Sequence, residues 1–505
     1  MNAPLRRVGV VVMVLFGLLF ANLNWVQAYK ADEYRSSPYN GRVQLDEYKR
    51  QRGVIMMAGG TQLAVSKVTE DDLKYLRTYP LKEQYAHLLG YKPVNIGATG
   101  VESTENDFLA GTSDKLFGDR FRDLFTGEQT AGGNVLLTIS PTAQERAFNE
   151  LTKNKVGAKR GAVVAIDPAT GAIKALVSMP SFDPNALASH DVNAAQAAYK
   201  KLLEDPEKPL LNRALTEINE PGSVFKVITA AAGMEDGRVP STVLDGGATY
   251  QAPGTDHKIP NSSGVNCPDK ITLLQALTIS CNTAFARLGV DLGAKKMTDT
   301  ATKFGFYDPN LTVGRLDGKG VPVSESVLGD LYNRDSKGNV TGENKPVLAL
   351  SSMGQASVNM TPLQGAMIAA TVANGGQQMR PHIVQQLVGP DLTTNFYVAD
   401  PKPLRRSCSP STATGLQQMM MSVVENGTGS KAKIEGHQVG GKTGTAEGGE
   451  GEETHGWFIG FALKDGQPVA AVAVFLENAG KGGSGEAARI AGQVMRGVIA
   501  DKAGK

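Results

Sequence analysis

Two sets of β-rich runs stand far apart in this chain, and any fold has to bring them together. The first is "AVVAIDPATGAIKALVSMP" (162–180), two strand-like runs flanking a Pro- and Gly-containing turn. The second lies near the end: "HGWFIGFAL" (455–463) and "PVAAVAVFLE" (468–477), followed by a helical pattern from 485 to 503. Between them, helical patterns run around 190–204, 224–236, 270–293 and 362–374. Strands at both ends with helices between them predict one large α/β (α+β) domain. Its sheet is built from segments distant in sequence and covered by helices. No internal repeat is visible.

The start of the chain is different. Residues 8–21, "VGVVVMVLFGLLFA", are apolar without a break, and the stretch continues to Ala28. That is about the twenty residues a bilayer needs. Arg6 and Arg7 precede it, so the rest of the chain is expected outside the cytoplasm. A cleaved signal peptide ending at "VQA" is the alternative. Gln27 and Trp25 make a poor cleavage region, and Trp25 and Tyr29 suit a membrane interface, so a retained single-pass anchor is expected. Residues 30–145 are polar and mixed. "SSPYNGR" and "ATGVESTEND" are loop-like, and "YLRTYPLKEQYAHLLG" (75–90) reads as a short helical stretch. "NVLLTIS" followed by "PTAQERAFNEL" reads as a strand and a helix opening at Pro141. The division expected is therefore 1–29 (cytoplasmic tip and anchor), 30–145 (a non-catalytic module) and 146–505 (the catalytic domain). A net charge of +2 gives no reason to expect nucleic acid. Six histidines without HExxH, and no cysteine pair at zinc spacing, suggest no metal, and no cofactor is expected.

Three short motifs carry chemistry. In "EPGSVFKVITAAAGM" (220–234), Ser223 and Lys226 share one face of a helix start that Pro221 and Gly222 open. A lone Ser-x-x-Lys is usually an exposed helix start, and "SKAK" (430–433) is a decoy in a polar, Gly-rich stretch. Ser280-Cys281-Asn282 is a polar break between two apolar helical runs. Its hydroxyl and amide could face a cleft, or it could be a helix cap. "SVN" (357–359) also matches that pattern. Lys442-Thr443-Gly444-Thr445 completes a P-loop pattern from Gly436, but no buried strand precedes it and no helix follows. A strand with Gly444 allowing close approach of a ligand fits better.

In this order the three motifs resemble the signatures of penicillin-binding proteins and serine β-lactamases. "NRALTEINEPGSVFK", "GQASVNMTPLQGAMIAATVANGG", "VVENGTGSKAKI", "GGKTGTAE" and "HGWFIGFA" resemble the class B penicillin-binding proteins. The overall length and short module are similar to the actinobacterial penicillin-binding protein A type. "RGVIMMAGGTQLA" (52–64) resembles the first box of the class B module, and "GATGVESTENDFLAG" (97–111) a later one. Met57 and Ala58 stand where an Asp-Arg pair is common, so the first box is expected to lack its usual salt bridge.

The resemblance implies a β-lactamase/transpeptidase-like domain with a central antiparallel sheet flanked by helices, after a small mixed module and one membrane helix. It implies acyl transfer on peptidoglycan stem peptides ending in D-Ala-D-Ala, in wall synthesis during division or shape maintenance. Ser223 would be the nucleophile, Lys226 its base and Ser280 the proton relay to the leaving D-Ala. Asn282 would hold the substrate backbone, and Lys442, Thr443, Gly444 and Thr445 would line the site for its terminal carboxylate. Backbone N–H groups of Ser223 and Thr445 would form the oxyanion hole. β-Lactams would trap Ser223 as an ester. A β-lactamase needs a deacylating glutamate downstream; the near match "EKPLLN" (207–212) lies upstream. A D,D-carboxypeptidase is the alternative with water as acceptor. A non-catalytic scaffold would lack a motif residue, and none is missing. No glycosyltransferase module is seen, so the family implies a multi-span glycan polymerase of the shape, elongation, division and sporulation family as partner. Finally, if Ser280 and Asn282 face the cleft, Cys281 points away, towards the loop carrying Cys267. A Cys267–Cys281 disulfide with Cys408 free, or two separate thiols, are both open.

Overall fold

The computed structural model describes residues 2–30, 33–34, 47–95, 97–116, 118, 125, 130–447 and 451–503. The loop reading of 36–42, and part of the Gly-rich run after Ala446, lie outside them. The apolar start forms helix α1 (Asn2–Asn24), prolonged by a π-helical turn, Trp25–Tyr29. The span Arg6–Tyr29 is long and apolar enough to cross a membrane, and none of it is buried against the protein. Trp25 stacks on Tyr29 at 4.3 Å between ring centroids.

Four short strands follow: β1 (Ile55–Met57), β2 (Gln62–Val68), β3 (Tyr75–Thr78) and β4 (Asn134–Leu137). β3 corrects the helical reading of 75–90. Its residues pair antiparallel with β2, Val65 opposite Thr78 and Val68 opposite Tyr75, and Pro80 bars a helix from continuing through. Only Lys82–Gln84 (3₁₀) and Ala86–Leu89 are helical there. The first box, moreover, does carry an ion pair. Arg52 Nε meets Glu102 Oε2 at 2.7 Å, and Arg77 Nε meets Glu102 Oε1 at 2.6 Å, with Glu102 fully buried. The carboxylate comes from the later box, and no Asp-Arg pair stands at 57–58.

The long remainder begins with α2 (Pro141–Thr152), capped by Ser140 with Pro141 at its first position. Then come the hairpin β5 (Gly161–Ile166) and β6 (Ile173–Met179), and α3 (Lys226–Glu235) behind a 3₁₀ turn, Gly222–Phe225. α4 (Leu273–Thr278), α5 (Asn282–Lys303) and α6 (Pro362–Ala373) follow. β7 (Val384–Val388), β8 (Asn395–Val398) and α7 (Pro410–Asn426) lead to β9 (Gln438–Ala446), β10 (His455–Lys464), β11 (Gln467–Leu476) and α8 (Gly483–Ala503).

The distant strands do meet. One antiparallel sheet runs in the order β9-β10-β11-β5-β6, with β11 lying against β5 from Ala471–Ile166 to Leu476–Gly161. α2 and α8 cover one face through Ala143, Ala147, Ile490, Val494 and Val498. α6 is buried along its whole length and packs on the other face with Leu363, Ala366 and Met367. Such a helix has no polar stripe, because no side of it meets water. The hairpin β7–β8 goes elsewhere: it completes the sheet of the amino-terminal strands, in the order β8-β7-β4-β1-β2-β3.

Candidate active site

The site lies where the 3₁₀ turn before α3, the turn between α4 and α5, and strand β9 converge. Gly222 is in the left-handed region, φ +52°, and a Cβ there would sit 2.3 Å from the Thr445 carbonyl oxygen. Only glycine lets the turn before α3 approach β9 this closely. Its N–H donates to the Gly354 carbonyl at 2.9 Å. Ser223 follows, half-buried, and Lys226 opens α3 with its side chain fully buried. Val227, Ile228, Ala230 and Ala231 anchor that helix in the core.

Lys226 Nζ donates to the Ser280 carbonyl at 2.8 Å, to Ser280 Oγ at 3.2 Å and to Asn282 Oδ1 at 2.6 Å. Ser280 has φ +63°, an uncommon conformation for a residue with a Cβ. Lys442 on β9 is also fully buried. Its Nζ donates to the same Ser280 Oγ at 3.0 Å and to the Thr443 carbonyl at 2.8 Å. One hydroxyl therefore sits between two buried amines. Burial, and next the Lys442 charge, hold Lys226 well below the ordinary lysine range; burial pushes Lys442 down to about 7. A lysine so shifted can be neutral near neutral pH and accept a proton.

The other sequence-derived residues gather here too. Thr443 is buried and shares a hydroxyl–hydroxyl hydrogen bond with Thr428, while Thr445 is exposed. Gly444 is refined rather than repeated: a Cβ there would lie 2.6 Å from the Pro221 carbonyl and 3.0 Å from Trp457 Cβ. The close approach is made by the chain's own turn at Pro221. Cys267 and Cys281 are joined in a disulfide, and Cys408 is free and buried. The decoys stay apart. Lys433 pairs with Glu425 at 2.8 Å on the surface, and Asn359 bridges to Val327. The P-loop reading fails because Lys442 lies within β9 and the next element among the described residues is β10.

Sequence reading missed several neighbours. Asn261, in the loop before Cys267, and Pro260, at the end of a short strand (Lys258–Pro260), bond to Asn282. Nothing periodic marks that loop. Glu220, just before Pro221, is pushed up to about 7 by burial and then by Glu447. Both glutamates were in view, inside the quoted motif stretches, but nothing local to either sequence couples them. Among the described residues no three metal-ligating side chains converge.

Comparison with known proteins places this geometry. Residues 161–496 match the penicillin binding protein transpeptidase domain, and residues 52–135 match the penicillin binding protein A dimerisation domain. The chain is 41% identical over 505 residues to the peptidoglycan D,D-transpeptidase PbpA of Mycolicibacterium smegmatis, covering 99% of both chains. It is 40% identical over 504 residues to the PbpA of Mycobacterium tuberculosis, covering 99% of this chain and 98% of that one. The solved structure of penicillin-binding protein A from M. tuberculosis as a ceftriaxone acyl-enzyme complex superposes with a TM-score of 0.82. It is 38% identical, with 90% of this chain and 100% of that one covered.

Proposed function

The chain belongs to the penicillin-binding protein transpeptidase family, and we propose that it cross-links peptidoglycan through an acyl-enzyme formed on Ser223. As a D,D-transpeptidase it takes a donor stem peptide ending in D-Ala-D-Ala and an acceptor amine from a second stem peptide. The observation that carries the assignment of roles is the single hydroxyl, Ser280 Oγ, shared by the buried amines of Lys226 and Lys442.

In this reading neutral Lys226 takes the proton of Ser223, whose oxygen attacks the carbonyl of the penultimate D-Ala. The oxyanion that forms is met by the backbone N–H groups of Ser223 and Thr445. Loss of one such donor typically costs about 2.7–4 kcal/mol. The proton passes through Ser280 Oγ to the nitrogen of the departing D-Ala, and the C–N bond breaks. Asn282 holds the substrate backbone, and Lys442, Thr443 and Thr445 receive the terminal carboxylate. Gly444 serves by letting β9 and the nucleophile turn close together. The acceptor amine then attacks the ester, gives up its proton along the same path reversed, and frees Ser223. The alternative of a D,D-carboxypeptidase differs only in using water. The relatives matched over their full length are named transpeptidases, which favours the amine.

The same reading divides the chain into an anchor (1–29), a pedestal-like module (30–145) and the catalytic domain (146–505), the module lending its sheet to β7–β8. α1 is retained as a single-pass anchor in the cell membrane, and the catalytic domain works outside the cytoplasm. The partner is a multi-span glycan polymerase that supplies uncross-linked strands. The test of the nucleophile is direct. Full-length protein treated with a fluorescent penicillin gains one adduct mass, on the peptide holding Ser223, and Ser223→Ala gains none. Label on Ser430, or labelling retained in Ser223→Ala, overturns the assignment.

A further inference from the structure

The Ser-x-Asn turn is held from outside by a loop with no assigned role. α5 starts at Asn282, and its first N–H groups need acceptors. The residue at the cap position is Cys281, whose sulfur is tied into the disulfide; it accepts from the Ala284 N–H at 3.4 Å and lies 3.2 Å from the Thr283 hydroxyl. A half-cystine is a weak acceptor. Asn261 fills the gap from 21 residues upstream. Its Oδ1 accepts from Asn282 N at 2.8 Å and from Thr283 N at 3.3 Å. Its own amide donates to the Gly247 carbonyl at 2.9 Å, the oxygen that also receives the Thr283 hydroxyl at 2.9 Å.

The preceding residue acts on the Asn282 side chain itself. Asn282 Nδ2 donates to the Pro260 carbonyl at 3.0 Å, while its Oδ1 receives Lys226 Nζ at 2.6 Å. This pair of partners settles which way the amide is turned. Flipped, its NH₂ would face an amine and its oxygen a carbonyl, two like-with-like contacts. In the orientation held, one amide hydrogen is used by Pro260, and the other is left for a substrate carbonyl. The loop is secured at its far end as well. Gly247 N donates to the Pro268 carbonyl at 3.0 Å, beside Cys267, which is bonded to Cys281.

We infer that Asn261 is a positioning residue for the transpeptidase reaction. It fixes the start of α5 so that Asn282 presents one amide hydrogen to the substrate and its oxygen to Lys226, and the Cys267–Cys281 bridge holds Asn261's loop against that turn. This inference rests on the roles given above to Ser223, Lys226 and Asn282. It assigns a function to a residue that touches neither the nucleophile nor the bonds that break.

A double-mutant cycle on the full-length, detergent-solubilised protein tests it. The readout is the rate of acylation by a fluorescent penicillin at saturation, measured beside the thermal melt. Asn261→Ala should slow acylation roughly threefold to tenfold, the range for losing a neutral hydrogen bond. In an Asn282→Ala background the same change should cost almost nothing further, because the residue it positions is gone. Asn261→Asp, which keeps the acceptor for both N–H groups, should recover most of the thermal stability lost in Asn261→Ala. If Asn261→Ala gives no cooperative melt, Asn261→Ser, with a shorter acceptor, takes its place in the cycle. A wild-type acylation rate in Asn261→Ala, or losses that simply multiply in the double variant, overturns the inference. Labelling that persists in Ser223→Ala would instead overturn the nucleophile assignment.

Discussion

Replacing Lys442 with methionine tests whether the second lysine tunes the first. Methionine keeps an unbranched apolar stem and removes the charge. Both Nζ atoms reach the same Ser280 Oγ, at 3.2 and 3.0 Å, so the two charges lie no more than about 6 Å apart. At an effective dielectric constant of about 20, that repulsion is worth about 3 kcal/mol, or roughly a hundredfold in a protonation equilibrium. The sign follows from the role. Lys226 must be neutral to act as base, burial and the Lys442 charge both disfavour its proton, and removing Lys442 lets it hold that proton more tightly. The acid limb of acylation should therefore move to higher pH in Lys442→Met. The difference should be largest below about pH 7, where Lys442 of the native protein carries its charge, and shrink above it. Because Lys442 is also proposed to bind a carboxylate, the rate at saturating β-lactam is the quantity to follow; it isolates the chemical step from binding. An unchanged saturating rate at every pH, with only the affinity lost, would refute the tuning argument and leave Lys442 a carboxylate-binding group alone.

Further outcomes are expected at Glu102 and at the cysteines. Glu102→Gln should cost about 3–5 kcal/mol of stability, since it leaves the guanidinium groups of Arg52 and Arg77 buried without a counter-charge; a melt within error of the native one would contradict this. Burial pushes the Glu102 carboxyl up, but Arg77 and Arg52 prevail and hold it below the ordinary range, so its stabilisation is present above that range and lost as pH falls through the lowered value. In denaturant without reductant, alkylation should modify Cys408 alone, and reducing the Cys267–Cys281 bridge should cost roughly 3 kcal/mol for a closed loop of about fifteen residues. Alkylation of all three cysteines would rule the bridge out.

The motif residues were legible because each short motif carries its own local signal. Pro221-Gly222 announces the turn before Ser223, and the apolar runs on either side of Ser280-Cys281-Asn282 announce a break. That one sheet joins the two distant sets of strands was legible because both runs are continuous and apolar, as strands covered on both faces must be; the pairing of β11 with β5 was not. What stayed hidden has a common character: it depends on a partner far along the chain. Tyr75–Thr78 looks helical in isolation and is a strand because β2 offers it an edge. β7 and β8 join the amino-terminal sheet because β4 stands open to them. Asn261 lies in a loop with no periodicity, and only the start of α5 gives it meaning.

The two lysines show how structure adds to sequence here. The residue types in Ser-x-x-Lys and Lys-Thr-Gly-Thr were plain; the structure adds that Lys226 and Lys442 are both fully buried. Burying two amines around one hydroxyl, with no carboxylate among their hydrogen-bond partners in the described residues, is a poor way to build a core. Methionine or leucine would fill the same space without desolvating a charge. Local pattern and packing disagree here, and this is the point where the proposed mechanism moves a proton.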